Sequence, residues 1–229
     1  MENYKYVLRY DEHINIDSKI IYDCLEQAWR VTPSKQNFMP YNVHVLTPEA
    51  KKHKQILYNK ALKQQAVGSG YEIKNYKDLQ KYDLILKKDG KDPFFSNLKS
   101  APYIFLFSQR IEDEPNQLQQ SNLDYGLTYC QTGHDQESLQ HTEDIARIEV
   151  GMFSANLASA LLHHQIDVSF TQCFPCDITS WTEHEFYFLQ HNVLLIMTAG
   201  CGKKYRQDIP QIKDIDPKPA FHKIVRTEI

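Results

Sequence analysis

The sequence predicts a single domain of mixed α+β class, and three observations carry that expectation. Residues 145–174 read as a long helix that runs straight into a strand: Ile145, Ile148, Met152, Leu157, Leu161 and Leu162 recur at helical spacing, and Ile166, Val168 and Phe170 then alternate. Two apolar runs, residues 101–108 and 193–197, have the length of strands and the composition of strands covered on both faces. The chain has 229 residues, 41% hydrophobic and 24% charged, which suits one sizeable packed core and no general disorder.

Residues 4–10, with Lys5 and Arg9 among tyrosines, fit a short extended arm whose two cations can face an anion. Asp17 is placed to cap a helix carrying Ile20, Ile21, Cys24, Leu25 and Trp29, which ends near Arg30. Residues 31–40 are loop chemistry, and Tyr41, Val43 and Val45 alternate as a strand. A second helix follows Pro48 and carries Leu57 and Leu62; Gly68 and Gly70 break it, and residues 71–86 are again helical in pattern. Residues 111–142 are rich in Gln, Asn, Glu and Asp, a polar excursion that reads as a lid, a partner-wrapping segment or disorder. Within the long helix Gly151, Ala155 and Ser159 lie four apart, a smooth stripe that lets another helix or a cofactor come close. Residues 182–190 suggest a short helix, and Gly200 and Gly202 should end the last buried strand. The tail, residues 203–229, has no core of its own and should lie across another surface.

A formal net charge of -3 gives no bulk argument for nucleic acid. No apolar run has the length of a membrane span, and the first residues lack a signal-peptide core. Five cysteines, an odd number, suggest reduced thiols and a cytoplasmic setting. Cys173 and Cys176 form a C-x-x-C between a strand and a possible helix, so thiol oxidoreduction is an alternative chemistry. The ten histidines have no partners at metal-ligand spacing, and no metal is expected. There is no dinucleotide fingerprint, Walker motif or nucleophile elbow.

The richest constellation is Ala28, Arg30, Pro33, Ser34, Asn37, Pro40 and Tyr41, followed by an alternating strand. With the basic N-terminal pair, Ala101-Pro102 before a buried strand, Asn156-Leu157 in the long helix, and Gln165-Ile166-Asp167 then Gln172-Cys173-Phe174, it resembles the nitroreductase family of FMN-dependent flavoproteins. The likeness spans residues 5 to about 206, and the shared order of the motifs carries it. Departures are Val7 for a serine, Met39 for a glutamine, Tyr41 for a tryptophan, and Gln165 and Cys173 for glycines.

The resemblance implies a central, mostly antiparallel sheet flanked by helices, with the long helix at the interface of a homodimer and the tail wrapping the partner. It implies FMN as cofactor, NAD(P)H as co-substrate, and a quinone, nitroaromatic or similar conjugated acceptor. Lys5 and Arg9 match its N-terminal basic positions, and Arg9 or Lys35 would stand near the flavin N1 edge. Pro33, Ser34 and Asn37 would reach the flavin from the partner subunit, and Gln172 and Cys173 would present backbone N–H groups to its edge. A C-terminal cation, Lys203, Arg206 or Lys218, would complete the phosphate site. No protein residue is expected to be an obligatory acid or base. A flavin-binding protein without turnover is the other alternative.

Overall fold

The computed structural model describes residues 6–34, 37–88, 96–110, 116–126, 136–171, 186, 189 and 193–208. In chain order these form β1 (Val7–Tyr10), α1 (Ser18–Val31), β2 (Tyr41–Leu46), α2 (Lys51–Gly68), α3 (Tyr76–Lys88) and α4 (Ser96–Ser100). There follow β3 (Tyr103–Gln109), α5 (Gln117–Asp124), α6 (Gln136–His163), β4 (Asp167–Thr171), β5 (Val193–Gly200) and β6 (Gly202–Tyr205). Four strands make one sheet in the order β2-β3-β5-β4, with every neighbouring pair antiparallel. β1 and β6 form a separate antiparallel ribbon.

The apolar runs explain the middle layer. Every residue of β3 and of β5 is buried. Ile104 and Leu106 pack into one core with Leu57, Leu62 and Leu98 from α2 and α4. The alternate residues Tyr103, Phe105 and Phe107 pack into a second core with Ile21 and Ala28 of α1 and Leu157 of α6. A strand with apolar side chains on both faces needs a layer on each side. Helices α2–α4 and the pair α1–α6 supply those layers.

Local signals set the helix ends. Asp17 caps α1, its carboxylate accepting from the Lys19 N–H at 2.9 Å. Asn116 caps α5 in a reciprocal box with Gln119, each side chain bonding the other residue's backbone. The long helix starts at Gln136, ahead of the apolar periodicity, and residues 117–124 are helical within the polar excursion. At its far end Gln165 takes φ +59°, while Gln165 N–H and Ile166 N–H bond back to Leu162 and Leu161 carbonyls at 3.0 Å. That turn is one a glycine adopts without strain. Gly200 is required for another reason: a Cβ there would lie 2.5 Å from the Pro102 ring.

The expected N-terminal arm is an anchored strand. Val7 N–H donates to Ser169 Oγ at 2.8 Å, Tyr10 N–H to Ser100 Oγ at 3.0 Å, and Tyr10 Oη reaches the Thr198 carbonyl at 3.1 Å. The chain beyond Gly202 likewise begins as a strand of its own molecule. Asp167 holds it, accepting from Gly202 N–H at 2.9 Å and Tyr205 Oη at 3.0 Å. Burial and the Asp167 carboxylate push the Tyr205 phenol up to about 12.

One face of α6 stays open. Ile148 is 65% exposed and Leu162 44%, and Gly151, Ala155 and Ser159 between them are exposed too. On the adjacent α1, Trp29 is 54% exposed and Val31 59%. Among the described residues, only the segment Glu143–His163 of α6 is long and apolar enough to cross a membrane, and half of it is buried in this fold.

Candidate functional site

Two sets of predicted residues stand on different elements. The first is the β1–β6 ribbon, where Arg9 pairs in register with Lys204 and the Arg206 N–H donates to the Tyr6 carbonyl at 2.9 Å. A strand alternates its side chains, so Lys203 and Lys204 take opposite sides, while Arg206 opens the short 3-10 turn Arg206–Asp208 that follows β6. Lys203 lies 3.7 Å from the Asp11 carboxylate. Arg9 and Arg206 are exposed and Lys204 half-buried. The ribbon thus pairs Arg9 with Lys204, and Arg206 follows it directly in the chain; a guanidinium is a forked donor of the kind that suits a phosphate. Lys204 was not among the residues singled out from sequence; the two-residue period of the strand was the signal that distinguishes it from Lys203.

The second set is the loop after α1. Thr32 ends the helix, its hydroxyl donating to the Ala28 carbonyl at 2.7 Å while Asn156 of α6 donates to that hydroxyl at 3.0 Å. Ser34 Oγ accepts from the Met39 N–H at 2.7 Å, and the Asn37 N–H donates to the Ser34 carbonyl at 3.2 Å. Asn37 and Met39 have φ of +51° and +47°, left-handed conformations that carry strain in a residue with a Cβ.

Pro33 and Ser34 meet Ile145, Ile148, Glu149 and Met152 of α6 around an open pocket of about 360 Å³. That is within the roughly 300–1,000 Å³ range of small-molecule pockets. Glu149 is 3% exposed and the nearby Tyr41 6%. Burial raises the Tyr41 phenol well above its usual range; the Glu149 carboxylate adds to the rise and Arg110 opposes it. The lining of this pocket does not include Arg9 or Arg206. Lys5, Lys35, Gln172, Cys173 and Lys218 lie outside the described residues, as do Cys176 and the expected helix at residues 182–190.

Arg110 was missed. It follows β3 directly and holds the loop: Nε donates to the Met39 carbonyl at 2.9 Å, Nη2 donates to the Phe38 carbonyl, and the guanidinium lies 5.2 Å from the Phe38 ring centre. The pairing of Tyr41 with Gln109 sets Arg110 beside Pro40, a position readable only once the register is known.

No family model matches the chain, and neither does any curated protein. Solved structures do. A candidate NAD(P)H:FMN oxidoreductase from Staphylococcus epidermidis is 11% identical, with a TM-score of 0.62 over 99% of this chain and 92% of that one. A candidate nitroreductase from Exiguobacterium sibiricum, solved in complex with FMN, is 13% identical, with a TM-score of 0.60 over 98% and 93%. A nitroreductase-like protein from Streptococcus mutans is 17% identical, with a TM-score of 0.54 over 89% and 87%. The chain has the nitroreductase fold, with the antiparallel sheet and long helix expected from the sequence.

Proposed function

We propose that the protein is an FMN-dependent oxidoreductase that takes electrons from NAD(P)H and passes them to a quinone, nitroaromatic or similar conjugated acceptor. The observation that carries this reading is the ribbon setting Arg9 opposite Lys204, next to Arg206, within a nitroreductase fold. FMN carries a phosphate dianion, and this donor set fits it: two guanidiniums that bond in fork geometry and one ammonium. Pro33, Ser34 and the apolar residues of the pocket offer a surface for a flat ring, and Asn37 keeps the role that the resemblance implies. When bound, the flavin supplies hydride and electron transfer. The chain's own residues bind it, orient it and shield its ring from water. Gln172, Cys173, Lys5, Lys35 and Lys218 keep the roles that the resemblance implies.

The working unit in this reading is a cytoplasmic homodimer. The ribbon cations do not line the Pro33–Ser34 pocket, and in this reading a second copy brings the loop of one chain to the ribbon of the other. The open face of α6, with its small residues flanked by Ile148 and Leu162 and next to Trp29 and Val31, offers the apolar contact. Stable obligate interfaces draw on large apolar areas of this kind. The test of turnover is anaerobic addition of NADH or NADPH to the flavin-loaded protein. Bleaching of the flavin's visible absorbance is expected, with recovery on adding a quinone. A bound flavin that neither nucleotide reduces would make the protein a flavin binder without turnover.

A further inference from the structure

The loop that carries Ser34 and Asn37 is gripped along four successive carbonyls by one stretch of chain. Asn37 O accepts from Asn116 Nδ2 at 3.3 Å, Phe38 O from Arg110 Nη2, Met39 O from Arg110 Nε at 2.9 Å, and Pro40 O from the Arg110 N–H at 3.0 Å. Two of these four residues, Asn37 and Met39, are left-handed without being glycine. Such conformations persist only where surrounding contacts over-determine them. Arg110 contributes three of the four bonds, two of them from a fixed planar fork, and stacks on Phe38, which is 2% exposed. On the inner side of the turn the Met39 N–H is tied to Ser34 Oγ.

We infer that Arg110 is a positioning residue for the ligand site. It holds the Asn37–Met39 turn in its left-handed form and, through the Met39 to Ser34 bond, fixes where Ser34 and Asn37 are presented. Asn116, the N-cap of α5, is a second and weaker grip that joins the same turn to that helix. The inference rests on the flavin reading for the identity of the ligand, whereas the hold on the turn does not.

The experiment has two arms on the full chain. In the first, amide hydrogen exchange is followed for Asn37, Met39 and Tyr41 without FMN in wild type, Arg110→Met, Arg110→Lys and Asn116→Ala. Protection of these amides should fall by about tenfold or more in Arg110→Met, less in the other two, with exchange in β3 and β5 unchanged. In the second, FMN is titrated into each protein. Affinity should fall about tenfold or more in Arg110→Met, with a shifted visible circular dichroism of the bound flavin. Arg110→Lys should recover part of the affinity, and millimolar guanidinium should restore part of it in Arg110→Ala, a rescue that general destabilisation would not show. Wild-type protection of the turn in Arg110→Met overturns the inference. Lost protection with unchanged FMN affinity also overturns it, because the turn would then not govern the site. A wild type that binds no FMN refutes the flavin reading, and the exchange arm then decides alone whether Arg110 holds the turn.

Discussion

Lys54 gives a sharp test of the packing between α2 and the entry to β3. Its residue is 4% exposed, and its ammonium donates to the carbonyls of Ala101 at 2.9 Å and Pro102 at 2.6 Å. Burial pulls its pKa from 10.5 down to about 8, against the smaller upward pull of Glu49 and Glu12. The folded pKa lies below the unfolded one, so between about pH 8 and 10.5 the unfolded chain holds more of this proton. Stability therefore rises with pH across that window. From pH 7 to pH 9 the two pKa values give a gain of about 1.4 kcal/mol from this one group. Cys24 and Cys201, both raised by burial, oppose the gain above pH 9, because the unfolded thiols ionise first. Lys54→Met removes the titration and keeps the length of the side chain. Urea unfolding of both proteins at pH 7, 8 and 9 isolates the effect as the difference between them. Wild-type stability should gain about 1.4 kcal/mol on the variant across that range. A difference that stays flat with pH would refute the buried, charged Lys54 on which the reasoning rests.

Arg9→Ala and Lys204→Ala should each weaken FMN binding about tenfold to a hundredfold, the worth of a charge-assisted hydrogen bond, measured by fluorescence quenching. Lys203→Ala, on the other side of the strand and next to Asp11, should leave it within about twofold. Gln165→Gly should raise stability by about 0.5 kcal/mol, or one to two degrees in Tm, because glycine relieves the left-handed strain at the end of α6 but costs unfolded-state entropy. Ala155→Arg, on the open face of α6, should convert a dimer to a monomer by light scattering while the circular dichroism stays that of the folded chain.

What the sequence displayed best was whatever burial alone determines. The run from Tyr103 to Phe107 is apolar at every position, a pattern that suits a doubly covered strand, and it lies in the middle of the sheet. Asp17 announced α1 because a capping carboxylate acts locally. Helix α5 had an equally local signal, Asn116 with Gln119, hidden in a stretch whose polarity reads as loop. The first turns of α6 carry no apolar period, so the helix reads as starting later than it does. The elements of the candidate site were legible in parts. Pro33, Ser34 and Arg9 were visible as motif positions, and strand alternation separates Lys204 from Lys203. Arg110 was not visible, because its role depends on the pairing of Tyr41 with Gln109 and on carbonyls that no side-chain pattern displays.

The central claim is that two copies of this chain bind FMN through Arg9, Lys204 and Arg206. Calorimetric titration of FMN into the flavin-free protein, with light scattering on the same sample, tests it most directly. The account predicts saturable binding of one FMN per chain, in a particle of twice the chain mass. No heat and no gain in thermal stability at millimolar FMN would contradict it, and so would full binding by a monomer.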